Sequence, residues 1–348
     1  MDKIRVLVVD DSALMRRRIS DILNTDSQIQ VIGTARNGEE ALKMLVDLKP
    51  DVITLDIEMP KMDGLVCLGY IMSEWPTPVV MLSAHTQYGG QATIRALEYG
   101  AVDFVGKPSG VVSLDISKVA YEVTAKVKIA AKVDVSKLKI IKLPEGAKPK
   151  GGIPSRSMEK LITIGASTGG PKALGEILPK LPVDIPAGIL VIQHMPEGFT
   201  RSMAEHLNWE SQIHVKEAED QEKIRPGNAY VAPGDFHMIV ERNIEKGDII
   251  RLKKDPPELG TRPAINVTMR SVAPIYAKRN IGVILTGMGT DGTDGLRMIR
   301  NFGGATMAEH QSTCIVYGMP RSVVEEGLAD KVVPLPLIAG EIVKLAKE

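Results

Sequence analysis

Short, uninterrupted apolar runs alternate with longer amphipathic stretches along this chain, and they do so in two separate series. No other feature limits the fold as much. A strand that is apolar at every position is buried on both faces, and strands of that kind alternating with helices form a parallel sheet covered on both sides. In the first series the strand candidates are Ile4 to Val9, Gln30 to Ala35, Val52 to Leu55, Val79 to Leu82 and Ala101 to Val105. Amphipathic segments lie near residues 12–24, 38–48, 64–74 and 89–99. The second series begins at Lys160, with strand candidates Leu161 to Ile164, Ile189 to Ile192 and Ile281 to Leu285. Between Ile213 and Lys253 the pattern changes. The turn signals Pro226-Gly227-Asn228, Pro233-Gly234-Asp235 and Lys246-Gly247-Asp248 separate short β-like pieces, which predicts a small antiparallel β insertion. The fold class expected is α/β, in two domains, each a parallel sheet flanked by helices.

A length of 348 residues suits two domains, each able to bury a core. Between the two series the composition shifts. From Lys132 to Arg156 there are seven Lys or Arg against two acids, with Pro144, Pro149, Pro154 and several glycines, which is a linker composition. The stretch from Ser113 to Ala131 reads as a helix leading into it. Aromatic residues are only 4%, so Ile, Val, Leu, Ala and Met must build the cores. The 43 basic residues balance 43 acidic ones, which leaves no global field to attract nucleic acid or a membrane. Cys67 and Cys314 stand far apart with no metal-ligand spacing, and are expected to be buried thiols in a reducing compartment. No signal peptide and no apolar run of about 20 residues is present, so a cytoplasmic location is expected.

Polar residues sit at the strand ends of the first series. Asp10 and Asp11 follow the first strand, Asp56 the third, Ser83 the fourth and Lys107 the fifth. Ligands in open α/β sheets bind at the carboxyl ends of the strands, so these groups converge on one edge. Three carboxylates together repel unless a cation intervenes, and Mg²⁺ is satisfied by one or two carboxylates plus water and phosphate oxygens. Lys107 and the Ser83 hydroxyl are then placed to neutralise and hydrogen-bond a phosphoryl group on Asp56, carboxylate being a known covalent nucleophile. Asp11 and Ser12 also suit helix caps.

The second series carries a different set. Ser167 lies in Ile164-Gly165-Ala166-Ser167-Thr168-Gly169-Gly170, a strand, tight loop and helix start followed by Pro171. Such a loop can cradle a phosphate with its N–H groups. Alternatively it presents Ser167 as a nucleophile, with N–H groups stabilising an oxyanion. His194 lies two residues past Ile192, and Asp291 lies in the loop after Leu285. If the three strands are parallel neighbours, Ser167, His194 and Asp291 meet as nucleophile, base and orienter. Thr168, Gly169 and Met288 are the oxyanion candidates. The dinucleotide and P-loop fingerprints are both missing, which weighs against the phosphate cradle.

Residues 3–121, through VVDDS, LDIEMPKMDG, MLSAH and DFVGKP, resemble the receiver domain of two-component response regulators. The resemblance implies a flavodoxin-like fold and Asp56 as phosphoacceptor. It implies Mg²⁺ held by Asp10, Asp11, Asp56 and the backbone carbonyl of Glu58. Ser83 and Lys107 become phosphate-sensing groups, and Phe104 an aromatic switch, though an aromatic on a strand is equally a core residue.

Residues 158–346, through IGASTGGP, VIQHMPEGFT, AYVAPGDFHM, TRPAINVTMRSVA, ILTGMGTDG and YGMPRSV, resemble the catalytic domain of the chemotaxis receptor methylesterases. That implies a Rossmann-like esterase with Ser167, His194 and Asp291 as its active site. It also implies hydrolysis of glutamate methyl esters on chemoreceptors and deamidation of receptor glutamines, with no cofactor for the esterase reaction. One departure is Asn266, where the family commonly has Asp; it lies outside the three and bears on a local ion pair, not on the chemistry. The domains expected are a receiver at 1–121, a linker at 122–157 and a catalytic domain at 158–348.

The partners implied are the cytoplasmic domain of methyl-accepting chemoreceptors and a chemotaxis histidine kinase, with no nucleic acid and no direct membrane insertion. A regulatory hypothesis follows: the unphosphorylated receiver covers the strand-end face of the esterase through the helix near Tyr88 to Tyr99 and the linker, and phosphorylation releases it. The competing readings are a receiver-linked nucleotide- or phosphate-binding module without catalysis, and a transcriptional regulator. The second lacks any helix-turn-helix or basic patch in the C-terminal half.

Overall fold

The computed structural model describes residues 3–83, 87–107, 116–138, 158–243 and 247–348. The chain divides into two compact units, Met1–Leu143 and Pro144–Glu348.

In the first unit the strands β1 (Ile4–Val9), β2 (Ile29–Ala35), β3 (Val52–Asp56), β4 (Val79–Ser83) and β5 (Asp103–Gly106) alternate with α1 (Ala13–Asn24), α2 (Gly38–Leu48), α3 (Gly64–Glu74), α4 (Gln87–Glu98) and α5 (Ile116–Ala130). The sheet is parallel, in the order β2-β1-β3-β4-β5, which is the flavodoxin-like order. Every residue of β3 and β4 is buried, including the polar Thr54, Asp56 and Ser83. Ser12 caps α1 by accepting from the Met15 N–H, so the capping reading holds for that residue. The boundary drawn at residue 121 falls inside α5. Val119, Val123, Val127 and Ala130 recur at helical spacing and are buried, which binds residues 122–130 to the first unit. The rest of the expected linker, 139–157, lies outside the described residues, as do 84–86 and 108–115.

The second unit contains β6 (Lys160–Ala166), α6 (Gly170–Ile177), β7 (Ala187–Gln193), α7 (Phe199–Glu210), β8 (His214–Glu217), β9 (Asn228–Val231), β10 (His237–Asn243) and β11 (Gly247–Lys253). It continues through α8 (Ile265–Tyr276), β12 (Asn280–Ile284), α9 (Thr293–Asn301), β13 (Ala305–Glu309), α10 (Met319–Glu325), β14 (Lys331–Val333) and α11 (Leu335–Lys347). Seven strands form one sheet in the order β14-β13-β12-β6-β7-β9-β8. All its pairings are parallel.

The expected insertion is smaller than the turn signals suggested. Among the described residues only β10 and β11 pair as antiparallel strands. β8 and β9 pair in parallel and extend the main sheet instead. Residues 218–227 between them are long enough to cross over, and they lean on β11 through Ile224 N–H to Asp248 O at 3.1 Å.

The chain builds outward from β6 to β7 on one side and returns to β12 on the other. The order therefore reverses between β6 and β12, the position where open α/β sheets bind their ligands.

Candidate active site and acidic cluster

Register brings the serine, histidine and aspartate loops together. Ala166, the last residue of β6, pairs with Gln193, the last of β7. On its other side β6 pairs with β12, Gly165 opposite Ile284. One residue further on, Ser167 lies between His194 and Thr286. The His194 N–H donates to Ala166 O at 3.1 Å, and the Ser167 N–H donates to Thr286 O at 3.0 Å. The neighbourhood condition on the three strands is met: β12, β6 and β7 are adjacent.

Asp291 is buried and fully engaged. Its Oδ2 lies 2.8 Å from His194 Nε2 and accepts the Ile265 N–H at 2.7 Å. Its Oδ1 accepts the N–H groups of Asn266 and Gly292, both at 2.9 Å. Ile265 and Asn266 open α8, so the carboxylate sits on a helix N-terminus, where negative charge is favoured. Burial pushes the Asp291 carboxyl up, but the His194 ring and the backbone N–H groups outweigh it, and the group ends below its ordinary value. An ionised acceptor at Nε2 holds the ring proton there and leaves Nδ1 as the basic nitrogen. Among the described residues Ser167 Oγ makes no hydrogen bond; the backbone of this residue donates to Thr286 O and accepts from Gln193 Nε2. Catalytic hydrogen bonds commonly tighten only with substrate in place.

The oxyanion candidates surround the same point. Gly169 adopts φ +80° and ends the Ser167 turn before α6, while Thr168 is buried. Thr168 O accepts from Thr286 Oγ1 at 3.0 Å. Gly287, next to Met288, has its Cα against Ser167: a Cβ there would lie 2.6 Å from Ser167 Cβ. Gly287 O is held by the N–H groups of Gly318 at 3.1 Å and Met319 at 2.8 Å. The Met288 side chain is exposed.

Gln193, His237 and Glu309 carried no role in the sequence reading, and Asn266 was noted there only for an ion pair. Gln193 is buried, and its Nε2 donates to Ser167 O at 2.9 Å and His194 O at 3.1 Å, coupling the two turns. Gly170 gives it room, since a Cβ there would stand 2.0 Å from Gln193 Oε1. His237, one histidine among six in the sequence, is buried; its Nδ1 accepts the Ala264 N–H at 3.2 Å and its Nε2 meets Pro256 O at 3.0 Å. Glu309 is buried and accepts the Thr286 N–H at 2.9 Å. Burial raises its carboxyl above the ordinary value. Asn266 is not part of an ion pair; its side chain caps α9 by accepting from Gly292 and Gly295. Bonds of this kind join positions far apart in the chain, and only the tertiary fold reveals them.

In the first unit, carboxylate oxygens of Asp10, Asp11 and Asp56 lie within 4.8 Å of one another. Asp10 and Asp56 are buried and Asp11 is exposed. Lys107 Nζ reaches Asp10 at 2.8 Å and Asp56 at 2.7 Å. Burial raises the Asp56 carboxyl to about 6 against the pull of Lys107, with Asp10 and Asp11 adding to the rise. Burial works against the Lys107 charge, yet Asp56 and Asp10 hold its pKa above the ordinary value. One lysine facing three carboxylates leaves negative charge uncompensated, and an oxygen-only donor set of this kind fits a hard divalent cation. Glu58 lines the cleft that also holds Asp11.

Ser83 is buried; its Oγ accepts from Thr93 Oγ1 at 2.7 Å and donates to Gly89 O at 3.1 Å. Phe104 is buried with Lys126 Nζ 5.1 Å from its ring centroid. Lys126 also pairs with Asp103 at 3.1 Å and Glu122 at 2.7 Å. Cys67 and Cys314 are buried and form no disulfide, in keeping with the expected buried thiols. No helix among the described residues is long and apolar enough to cross a membrane.

Comparison with known proteins assigns each unit to a family. Residues 162–342 match the CheB methylesterase family and residues 6–116 the response regulator receiver domain family. A protein-glutamate methylesterase/protein-glutamine glutaminase of Symbiobacterium thermophilum is 49% identical, over 99% of this chain and 98% of the relative. One from Pyrococcus horikoshii is 47% identical, over 98% and 93%. The Thermotoga maritima CheB methylesterase catalytic domain superposes with a TM-score of 0.53 at 46% identity, covering 53% of this chain and 98% of that one. A receiver joined to an α/β hydrolytic unit is thus the class to which fold and relatives point. The chain belongs to the protein-glutamate methylesterase/protein-glutamine glutaminase family. The reading as a binding module without catalysis is not favoured by these relatives.

Proposed function

We propose that this chain is a phosphorylation-regulated serine esterase that hydrolyses glutamate methyl esters on the cytoplasmic domain of chemoreceptors, with Ser167, His194 and Asp291 as its catalytic residues. Ser167 Oγ attacks the ester carbonyl carbon while His194 Nδ1 takes its proton. The tetrahedral oxyanion is met by backbone N–H groups of the Thr168–Gly169 turn and of Met288, each worth about 3 kcal/mol in sites of this kind. Collapse of the intermediate breaks the C–O bond, and methanol leaves with the proton from His194. Water then attacks the acyl-enzyme as His194 takes its proton, releasing a glutamate and restoring Ser167. A glutamine side chain enters the same path with ammonia as leaving group, which is the glutaminase activity carried in the relatives' names.

What supports these roles is the contact between His194 Nε2 and Asp291 at 2.8 Å, on loops that flank the Ser167 turn in the sheet. The test is methanol release from a methylated receptor fragment. Ser167→Ala and His194→Gln are expected to lose at least about 10⁴-fold in kcat. Release unchanged in Ser167→Ala would overturn the nucleophile.

In the receiver, Asp56 is the phosphoacceptor, a chemotaxis histidine kinase the phosphodonor, and Ser83, Phe104 and Lys107 the groups that respond. Asp10, Asp11, Asp56 and the Glu58 backbone carbonyl would hold Mg²⁺, which when bound neutralises the incoming phosphoryl oxygens. Lys107 already bridges Asp10 and Asp56 and is positioned to exchange one of them for a phosphate oxygen. Phosphorylation adds charge at Asp56 and reshapes the surface of α4 and β5. A cytoplasmic site of action accords with that kinase and substrate.

A further inference from the structure

The loop that carries Asp291 is held from two sides by one neighbouring residue. Asn266 is buried, and its backbone N–H donates to Asp291 Oδ1 at 2.9 Å. Its side-chain Oδ1 accepts the N–H groups of Gly292 at 3.0 Å and Gly295 at 2.8 Å. The Gly292 N–H also donates to Asp291 Oδ1 at 2.9 Å. One N–H is therefore shared between the amide oxygen of Asn266 and the carboxylate oxygen of Asp291, so the two side chains are immediate neighbours. Acceptance of two N–H bonds fixes the amide orientation, with oxygen rather than nitrogen facing them.

The same bonds have a second consequence. Gly292 is the N-cap of α9 and brings no side chain to that task, so Asn266 reaches across from α8 to cap α9. A carboxylate at this position would accept the same two N–H bonds and would be ionised there, because helix N-termini favour negative charge. An amide and a carboxylate at position 266 differ in charge, not in shape.

We propose that Asn266 is a positioning residue that seats the Asp291 loop without placing a second charge beside it, and thereby sets the pH range over which His194 works as a base. This rests on the assignment of Ser167, His194 and Asp291 given above. The imidazolium of His194 is stabilised by the carboxylate it touches. Further out, Arg270 on α8 interacts with Asp291 and Asp294 and is itself paired with Glu258. Asp294 on α9 is paired with Arg297. These outer charges are matched in pairs, so beside the neutral amide Asp291 is the carboxylate in contact with the ring.

The test uses the full chain, phosphorylated by a saturating small phosphodonor, with methanol release from methylated receptor followed across pH. The titration of the receiver is common to all variants and cancels between them. Asn266→Asp is expected to move the acid limb of kcat/KM upward by about one pH unit, and the NMR titration of the His194 ring by the same amount. Asn266→Ala removes the cap without adding charge; it is expected to lower Tm and leave the limb where it is. A limb and ring titration that stay put in Asn266→Asp, or that move equally in Asn266→Ala, would overturn the proposal. Ser167→Ala and His194→Gln are run alongside. Retained release in those variants defeats the triad, whereas their loss with an unmoved limb defeats the role of Asn266 alone.

Discussion

Asp56 and Asp291 are both buried carboxylates, and their surroundings push them in opposite directions. At Asp291, the His194 ring and the N-terminus of α8 overcome burial and keep the group ionised. Its stabilising effect is present above the ordinary carboxylate range and is lost as pH falls through its lowered value. At Asp56, burial and the neighbouring Asp10 and Asp11 prevail over Lys107 and raise the carboxyl to about 6. A carboxyl raised on folding contributes stability that is complete below the unfolded value and disappears as pH rises through about 6. Without a divalent cation, the ionised Asp56 is thus a liability at neutral pH. Asp56→Asn is predicted to stabilise the chelator-treated receiver unit by up to about 3 kcal/mol at pH near 7.5, a gain that shrinks as pH falls towards 4. Thermal unfolding at several pH values checks this; a gain that does not vary with pH would contradict it. The acidic cluster itself was legible, since strand-end acids in the first series could only converge. The size and direction of its pKa shifts were not, because they depend on how deeply each side chain is buried.

The element that matters most to the candidate active site is α8, whose first turn was invisible in the sequence. Its N-cap, Ala264, offers no capping side chain; its N–H is taken by His237 instead, and the next two N–H groups by Asp291. His237→Ala is predicted to cost about 1–3 kcal/mol of stability through the orphaned N–H. It should also lower kcat more than it raises KM, since α8 holds Asp291 and not substrate; a KM effect alone would argue against that link. The strands β6, β7 and β12 were readable because buried parallel strands are apolar throughout. Their adjacency was a condition that only the sheet order supplied. The stretch of β8 and β9 misled in the opposite way. Pro226-Gly227 looks like a hairpin turn, but the preceding residues lie against β11 and carry the chain across to a parallel partner.

Across the whole chain, a receiver and a methylesterase unit are joined, and each gathers polar residues at the carboxyl ends of its own sheet. Helix α5 runs past residue 121, where the receiver was expected to end, and helical spacing places Val123 and Val127 in the core of the first unit. The central claim is that chemistry at Ser167 answers to the state of Asp56. It is tested by methanol release from methylated receptor with and without a small phosphodonor, in wild type, Asp56→Asn and Ser167→Ala. The phosphodonor is expected to stimulate the wild type, Asp56→Asn to keep a low basal rate without stimulation, and Ser167→Ala to release no methanol in either condition. Equal stimulation of wild type and Asp56→Asn, or undiminished release by Ser167→Ala, would contradict it.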